Sequence, residues 1–273
     1  MSGGGLPLFW RTVFARAYPR LIGQQREPAW IFFETFFPLL ATAGYVYVYR
    51  GIGAPEAFVG FAVMGGVMTA FWVNVMWAMA TTLYWDKETG NLPLYIMAPA
   101  PLMGILLGMA IGGLLATTLR AAVVLLLGIV LFQVPFAVTQ FGLLFAVFVM
   151  TMAALYGLGM ILASAFLLFG RDAWQIVQVL QEPVYFVSGF YFPVKNLGTI
   201  VGLAASLLPL TLGMDAMRQL VFTDGRQLGL LAPEVELLAL CVLAVVFVLG
   251  ARLTLRAVEQ RAREQGTLTD RRR

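Results

Sequence analysis

The chain has 273 residues, is 60% hydrophobic and 12% charged, and has a mean hydropathy of +0.85 with a net charge of +4. Soluble domains carry about a quarter charged residues, so this deficit, with apolar runs long enough to cross a bilayer, excludes an ordinary soluble fold. There is no histidine, and the one cysteine, Cys241, lies inside an apolar run, so His-based catalysis, a His metal site and an internal disulfide are all excluded.

Residues 1–7 read as disordered, and no cleaved signal peptide is expected because the first long apolar run starts too late. Over residues 8–26, Trp10, Val13, Phe14, Ala17 and Leu21 fall on one helical face and Arg11, Arg16 and Arg20 lie off it. This predicts a helix lying in the membrane interface with its basic side chains toward lipid headgroups. The alternative is an amphipathic helix packed on protein. Pro19 is expected to kink or end it.

Six apolar spans follow, near 29–49, 57–85, 103–131, 140–169, 174–192 and 234–255. About 20 helical residues cross the hydrocarbon, so the second to fourth spans must tilt or project past the headgroups. With the N-terminus inside, inner segments hold thirteen Lys and Arg residues, and outer segments hold four: Arg50, Lys195, Arg218 and Arg226. That bias predicts a multi-pass protein of the plasma (inner) membrane with both termini cytoplasmic. The expected division is a tail and interfacial helix at 1–28, a six-span domain at 29–256 and a basic cytoplasmic tail at 257–273.

Between spans two and three stands a polar interruption, Asp86 to Pro101, reading DKETGNLPLYIMAPAP. Asp86, Lys87 and Glu88 open it, Gly90 and Asn91 break it, and prolines follow at 93, 99 and 101. They bound a short apolar patch containing Leu92, Leu94, Tyr95, Ile96 and Met97. The pattern predicts a cytoplasmic foot shaped to be pushed by another protein. On the other side, residues 193–232 are too apolar for a plain loop yet are cut by Pro193, Gly198, Gly202, Pro209 and Gly213. Asn196–Leu208 and Leu210–Phe222 are expected as two half-length re-entrant helices, whose backbone survives at membrane depth only when protein or a cavity satisfies it. A surface hairpin on the outer headgroups is the alternative.

Three charged residues fall inside spans more than three residues from a span end: Glu34, Arg120 and Glu182. Each costs ~2.5–3.5 kcal/mol at the membrane centre, so they should face the bundle interior, water or one another. Glu34 lies near the cytoplasmic face, where Arg26 or Arg16 is a possible partner. Arg120 is expected in the outer half of span three and Glu182 near mid-membrane. Gln175, Gln178, Glu182, Tyr185 and Gly189 share one helix face, a stripe lining either a subunit seam or a substrate path. Pro183 beside it predicts a kink. Asn74 in span two belongs to the same path or seam; it and Thr81 are expected to add hydrogen bonds on an inner face, or simply to join helices. Gly104, Gly108 and Gly112 predict close packing of span three. Tyr45, Tyr47 and Tyr49 close span one, and Tyr185, Phe186, Phe190, Tyr191 and Phe192 close span five. They form either an interfacial aromatic belt or a ring guiding an amphiphilic substrate.

No stretch reads GxxxxGK[ST], no carboxylate cluster offers a metal site, and no nucleophile sits in a GxSxG setting. The chain is therefore expected to be no enzyme and to need no cofactor of its own. Such a protein borrows work from an ion gradient or a partner, and the foot favours a partner.

The basic amphipathic start, the six spans and the Asp86-Lys87-Glu88-Thr89-Gly90-Asn91-Leu92 loop with Ala98-Pro99 after it form a familiar order. So do PVYFVSGFYFPV (183–194) and LLPLTLGMDAMRQLVF (207–222). In that order the chain resembles the membrane-spanning permease of a type-2 ATP-binding-cassette (ABC) exporter. The resemblance implies two permeases, identical or paralogous, seated in membrane lipid on two separate ATPase subunits that hold ATP and Mg, with no nucleic acid involved. It implies that the interfacial helix and the foot contact the ATPase, and that the substrate is an amphiphile, drug- or lipid-like. A polysaccharide or teichoic-type polymer is the alternative within the family. An ion-coupled transporter using Glu182 and Arg120 is the rival outside it.

Overall fold

The computed structural model describes residues 5–98, 101–134, 136–222 and 225–265. Pro99 and Ala100 of the foot and the end of the basic tail, 266–273, lie outside the described residues. All regular structure among the described residues is helical. In chain order the helices are α1 (Gly5–Gln25), α2 (Pro28–Gly51), α3 (Glu56–Val73), α4 (Thr82–Glu88) and α5 (Leu92–Met97). Then come α6 (Leu102–Phe132), α7 (Phe141–Phe169), α8 (Arg171–Val187) and α9 (Thr199–Ala205). The last are α10 (Pro209–Val221), α11 (Gly225–Leu228) and α12 (Pro233–Gln265). A π-helical segment, Asn74–Met79, joins α3 to α4, so Glu56–Glu88 forms one span of 33 residues.

Among the described residues five helices are long and apolar enough to cross a membrane: Ile31–Gly51, Glu56–Glu88, Leu102–Phe132, Phe141–Phe169 and Pro233–Gln260. The expected fifth span, 174–192, falls on the 17-residue α8, which is shorter and less apolar than these five. Its polar residues Gln175, Gln178, Gln181 and Glu182 lower its hydropathy, and the chain turns at Gly189, whose φ of 67° suits glycine. At 1.5 Å per residue α8 measures roughly 25 Å, at the short end of the range that crosses a hydrocarbon core. It runs on through Pro183.

The α1 helix departs from its expected position. It continues through Pro19 and, rather than lying flat beneath the spans, runs alongside the first half of α6. The glycine stripe is the reason. A Cβ on Gly108 would stand 2.4 Å from the Val13 carbonyl oxygen, and one on Gly112 would stand 2.5 Å from that of Ala17. Bare glycines let the two backbones touch. The predicted apolar face of α1 is thereby split. Val13 and Ala17 are buried against α6, whereas Trp10 and Phe14 stay exposed, in line with Leu6 and Tyr18.

α7 and α12 run in the same direction. Gly157 abuts Phe247, Gly250 abuts Ile161, and Thr254 reaches Ser164 at 3.5 Å. The start of α1, the foot, the single-residue turn at Gly170 and the end of α12 therefore share one end of the bundle. At the opposite, far end, α9 and α10 meet with their axes 112° apart. Every residue of α10 is buried, whereas Ile200, Leu203 and Leu207 in and beside α9 are exposed. One arm of this hairpin is thus embedded among α3, α7 and α12, and the other rests outside.

Candidate functional site

A cavity of about 870 Å³ opens between α2, the α3–π segment, α6 and α8. Its polar centre is an ion pair: the Arg120 guanidinium and the Glu34 carboxylate approach to 2.5 Å. Arg120 also donates to Gln24 (3.3 Å) and Thr117 (3.4 Å). The two charges neutralise one another, as their cost in an apolar medium demands. Of the partners expected for Glu34, Arg120 is at ion-pair distance. One expectation is corrected here. Arg120 stands level with Glu34, toward the foot end of α2, because α6 begins further toward the foot than α2 does.

The π segment supplies another wall. The extra residue in its turn presents Trp77 to the cavity, where Nε1 donates to Gln181 Oε1 at 2.8 Å. Single π turns inside α-helices recur at functional sites. Glu182 and Tyr185 of α8 also line the cavity. Gln178 does not; it is exposed one turn away. Asn74 is buried in the helix packing, where it accepts from the Tyr156 hydroxyl at 2.9 Å, away from the cavity wall. The predicted polar stripe is therefore divided, with Glu182 and Tyr185 facing the cavity and Gln175 and Gln178 turned outward.

The two aromatic clusters meet at the far end of this space. Tyr45 stacks on Tyr191 with ring centroids 3.6 Å apart, and the Tyr49 hydroxyl donates to the Tyr191 carbonyl at 2.8 Å.

The foot is a clamped knob. Leu92 is fully buried, whereas Leu94 is 58% and Met97 75% exposed. Tyr95 holds the short helix in place. Its hydroxyl accepts from Arg16 of α1 and donates to Asp86 of α4 at 3.2 Å. Burial, and after it the Asp86 carboxylate, pushes the Tyr95 phenol above its usual range, which keeps it a donor. The Arg16 guanidinium lies 4.5 Å from the centre of the Tyr95 ring, and Arg20 donates to the Ala78 carbonyl at 3.1 Å. Lys87 is half-buried and Glu88 exposed; the Ile96 side chain lies outside those described. The apolar patch is therefore one anchor, one tether and two exposed side chains. These contacts join three elements, α1, α4 and α5.

A further cluster escapes the sequence reading, which counts Arg218 only among the cations of the outer segments. Arg218 is 2% exposed. It donates to the carbonyls of Gly189 (2.6 Å), Phe190 (2.7 Å), Phe61 (2.9 Å) and Phe192 (3.4 Å). Asp215 accepts from Gln219 (2.9 Å) and from the Leu230 N–H (2.7 Å), so the hairpin is tied to the chain after it. The available signal was the three-four spacing of Asp215, Arg218 and Gln219 in an otherwise apolar helix.

These features define a multi-pass helical membrane protein with a polar-centred cavity between its helices and a braced foot at one end. The chain belongs to the ABC-2 type transporter family, whose model matches residues 11–222. That family is the transmembrane subunit of an ABC system rather than its ATPase. The chain is also similar to the "Probable multidrug ABC transporter permease YbhR" of Escherichia coli, in strains K12 and O157:H7, at 28% identity over 157 residues. That stretch is 56% of this chain and 41% of the relative, so less than half of the relative's length is matched.

Proposed function

We propose that this chain is the permease subunit of an exporter for a drug- or lipid-like amphiphile, driven by ATP hydrolysis on a separate subunit that grips the foot from the cytoplasm. The single observation that carries this is the foot itself: two exposed apolar side chains, Leu94 and Met97, on a helix braced by Arg16, Tyr95 and Asp86. Exposed apolar side chains on a rigid mount suit a groove in a partner. A push on α5 passes through Tyr95 into α4, and from there along the continuous helix to the π segment and Trp77 at the cavity. The exposed Trp10, Phe14 and Tyr18 of α1 lie in headgroup lipid, and the outward Gln175 and Gln178 of α8 meet a second permease copy. The relative named as a multidrug permease supports a small amphiphile over a polymer, as does the closed Tyr45–Tyr191 stack. The neutralising of Arg120 by Glu34 weighs against an ion-coupled transporter working through Arg120.

The test is coupled transport in proteoliposomes holding the permease and its ATPase. The double substitution Leu94→Asp with Met97→Asp should cut ATP-driven transport at least about tenfold, the scale of two lost apolar anchors. The melting temperature should stay unchanged, since Leu92 still anchors the helix. Undiminished transport by this variant contradicts the proposal.

A further inference from the structure

We infer that the cavity selects organic cations, with Glu182 as the counter-charge that receives them. This rests on the export reading and names the substrate class of the same site. Three charged side chains line the cavity: Glu34, Arg120 and Glu182. The first two cancel in their 2.5 Å pair. Glu182 remains, with no hydrogen bond or ion pair to it among the described residues, so the lining carries one net negative charge. Gln181, its neighbour, is occupied by Trp77.

The rest of the wall matches that charge. Phe33, Phe37, Tyr45, Trp77, Tyr185 and Phe186 all line it. Aromatic faces attract a desolvated cation and repel an anion. A volume of about 870 Å³ falls within the roughly 300–1,000 Å³ of pockets that hold drug-sized ligands. A cation entering this space gains a carboxylate and several ring faces, whereas an anion meets only Arg120, which is already paired. A flat or propeller-shaped aromatic cation is the chemistry that uses both features.

The experiment uses the full chain in lipid nanodiscs, with empty nanodiscs subtracted. Binding of radiolabelled tetraphenylphosphonium is measured in competition with tetraphenylborate, an anion of nearly the same shape. The wild-type protein should bind the phosphonium, and the borate should not displace it. Glu182→Gln should weaken phosphonium binding about tenfold or more, the scale of one lost charge contact. Glu182→Asp should retain the preference for the cation. Equal phosphonium binding by wild type and Glu182→Gln overturns the inference. Displacement by the borate does so as well. So does a loss of binding in Glu182→Gln that accompanies loss of the permease dimer on a sizing column, since Glu182 would then hold subunits rather than substrate. ATP-driven export of a neutral amphiphile, measured with the ATPase present, reads the export function separately. Its persistence without any charge preference overturns only the cation selectivity, whereas its absence overturns the export reading beneath it.

Discussion

Arg218→Ala is expected to lower the melting temperature by roughly 10 °C or more and to leave little folded protein in detergent. At 2–4 °C per kcal/mol for a chain of this size class, that corresponds to a loss of about 4 kcal/mol. The reason is the number of partners. One guanidinium serves the carbonyls of Phe61, Gly189, Phe190 and Phe192, and a buried carbonyl of the turn left without a donor costs about 1–3 kcal/mol. Those carbonyls belong to α3 and to the turn after α8, so the same side chain fastens the embedded helix α10 to two other parts of the bundle. Its guanidinium also lies over the Phe61 ring, with the central carbon 4.9 Å from the ring centre. Arg218→Lys should fall between, because a compact ammonium with three donors cannot span the fork that a guanidinium covers. A melting temperature within about 2 °C of wild type for Arg218→Ala removes the carbonyl cage as a fold determinant.

Glu34→Gln is expected to destabilise the protein by about 3–5 kcal/mol, the usual cost of stranding one member of a buried ion pair. The stranded group is Arg120, whose remaining contacts to Gln24 and Thr117 are long, at 3.3 and 3.4 Å. The double variant Glu34→Gln with Arg120→Met should recover most of that loss, since it removes both charges and leaves an apolar side chain of similar reach. Thermal melts of wild type, Glu34→Gln, Arg120→Met and the double variant form a double-mutant cycle, and the expected coupling is a large fraction of the single-variant loss. Additive losses mean that the two side chains do not depend on one another.

How much of this was legible in the sequence varies by element. The long spans were, because uninterrupted apolar runs of bilayer length leave few alternatives; α3 to α4, α6, α7 and α12 begin and end within a few residues of expectation, α12 excepted at its C-terminal end, where the helix continues past the apolar run to Gln265. The foot was legible as an interruption but not in its division of labour, since which of Leu92 and Leu94 points inward depends on what α1 and α4 present to it. The ion pair was half legible. Both residues stood out as charges in apolar runs, yet their relative depth depends on how far α6 extends past α2, which no residue count in one span records. The placement of α1 was hidden for the same reason: its apolar face and the glycine stripe of α6 were each visible, and only the fold brings Val13 to Gly108. The π segment leaves no local signature, because one residue added to a turn changes neither composition nor period by much. Arg218 was read by its sign and its side of the membrane, and that counting discards what its carbonyl partners reveal.

The most direct test of a gate worked from the cytoplasmic side by another chain is the sidedness of the foot. Cys241 is replaced by alanine and a single cysteine is placed at Met97, which is 75% exposed, or at Ile200, which is 86% exposed at the opposite end. A membrane-impermeant maleimide should label Met97→Cys only in inverted membrane vesicles and Ile200→Cys only in intact cells. Labelling of Met97→Cys in intact cells places the foot outside and contradicts the account.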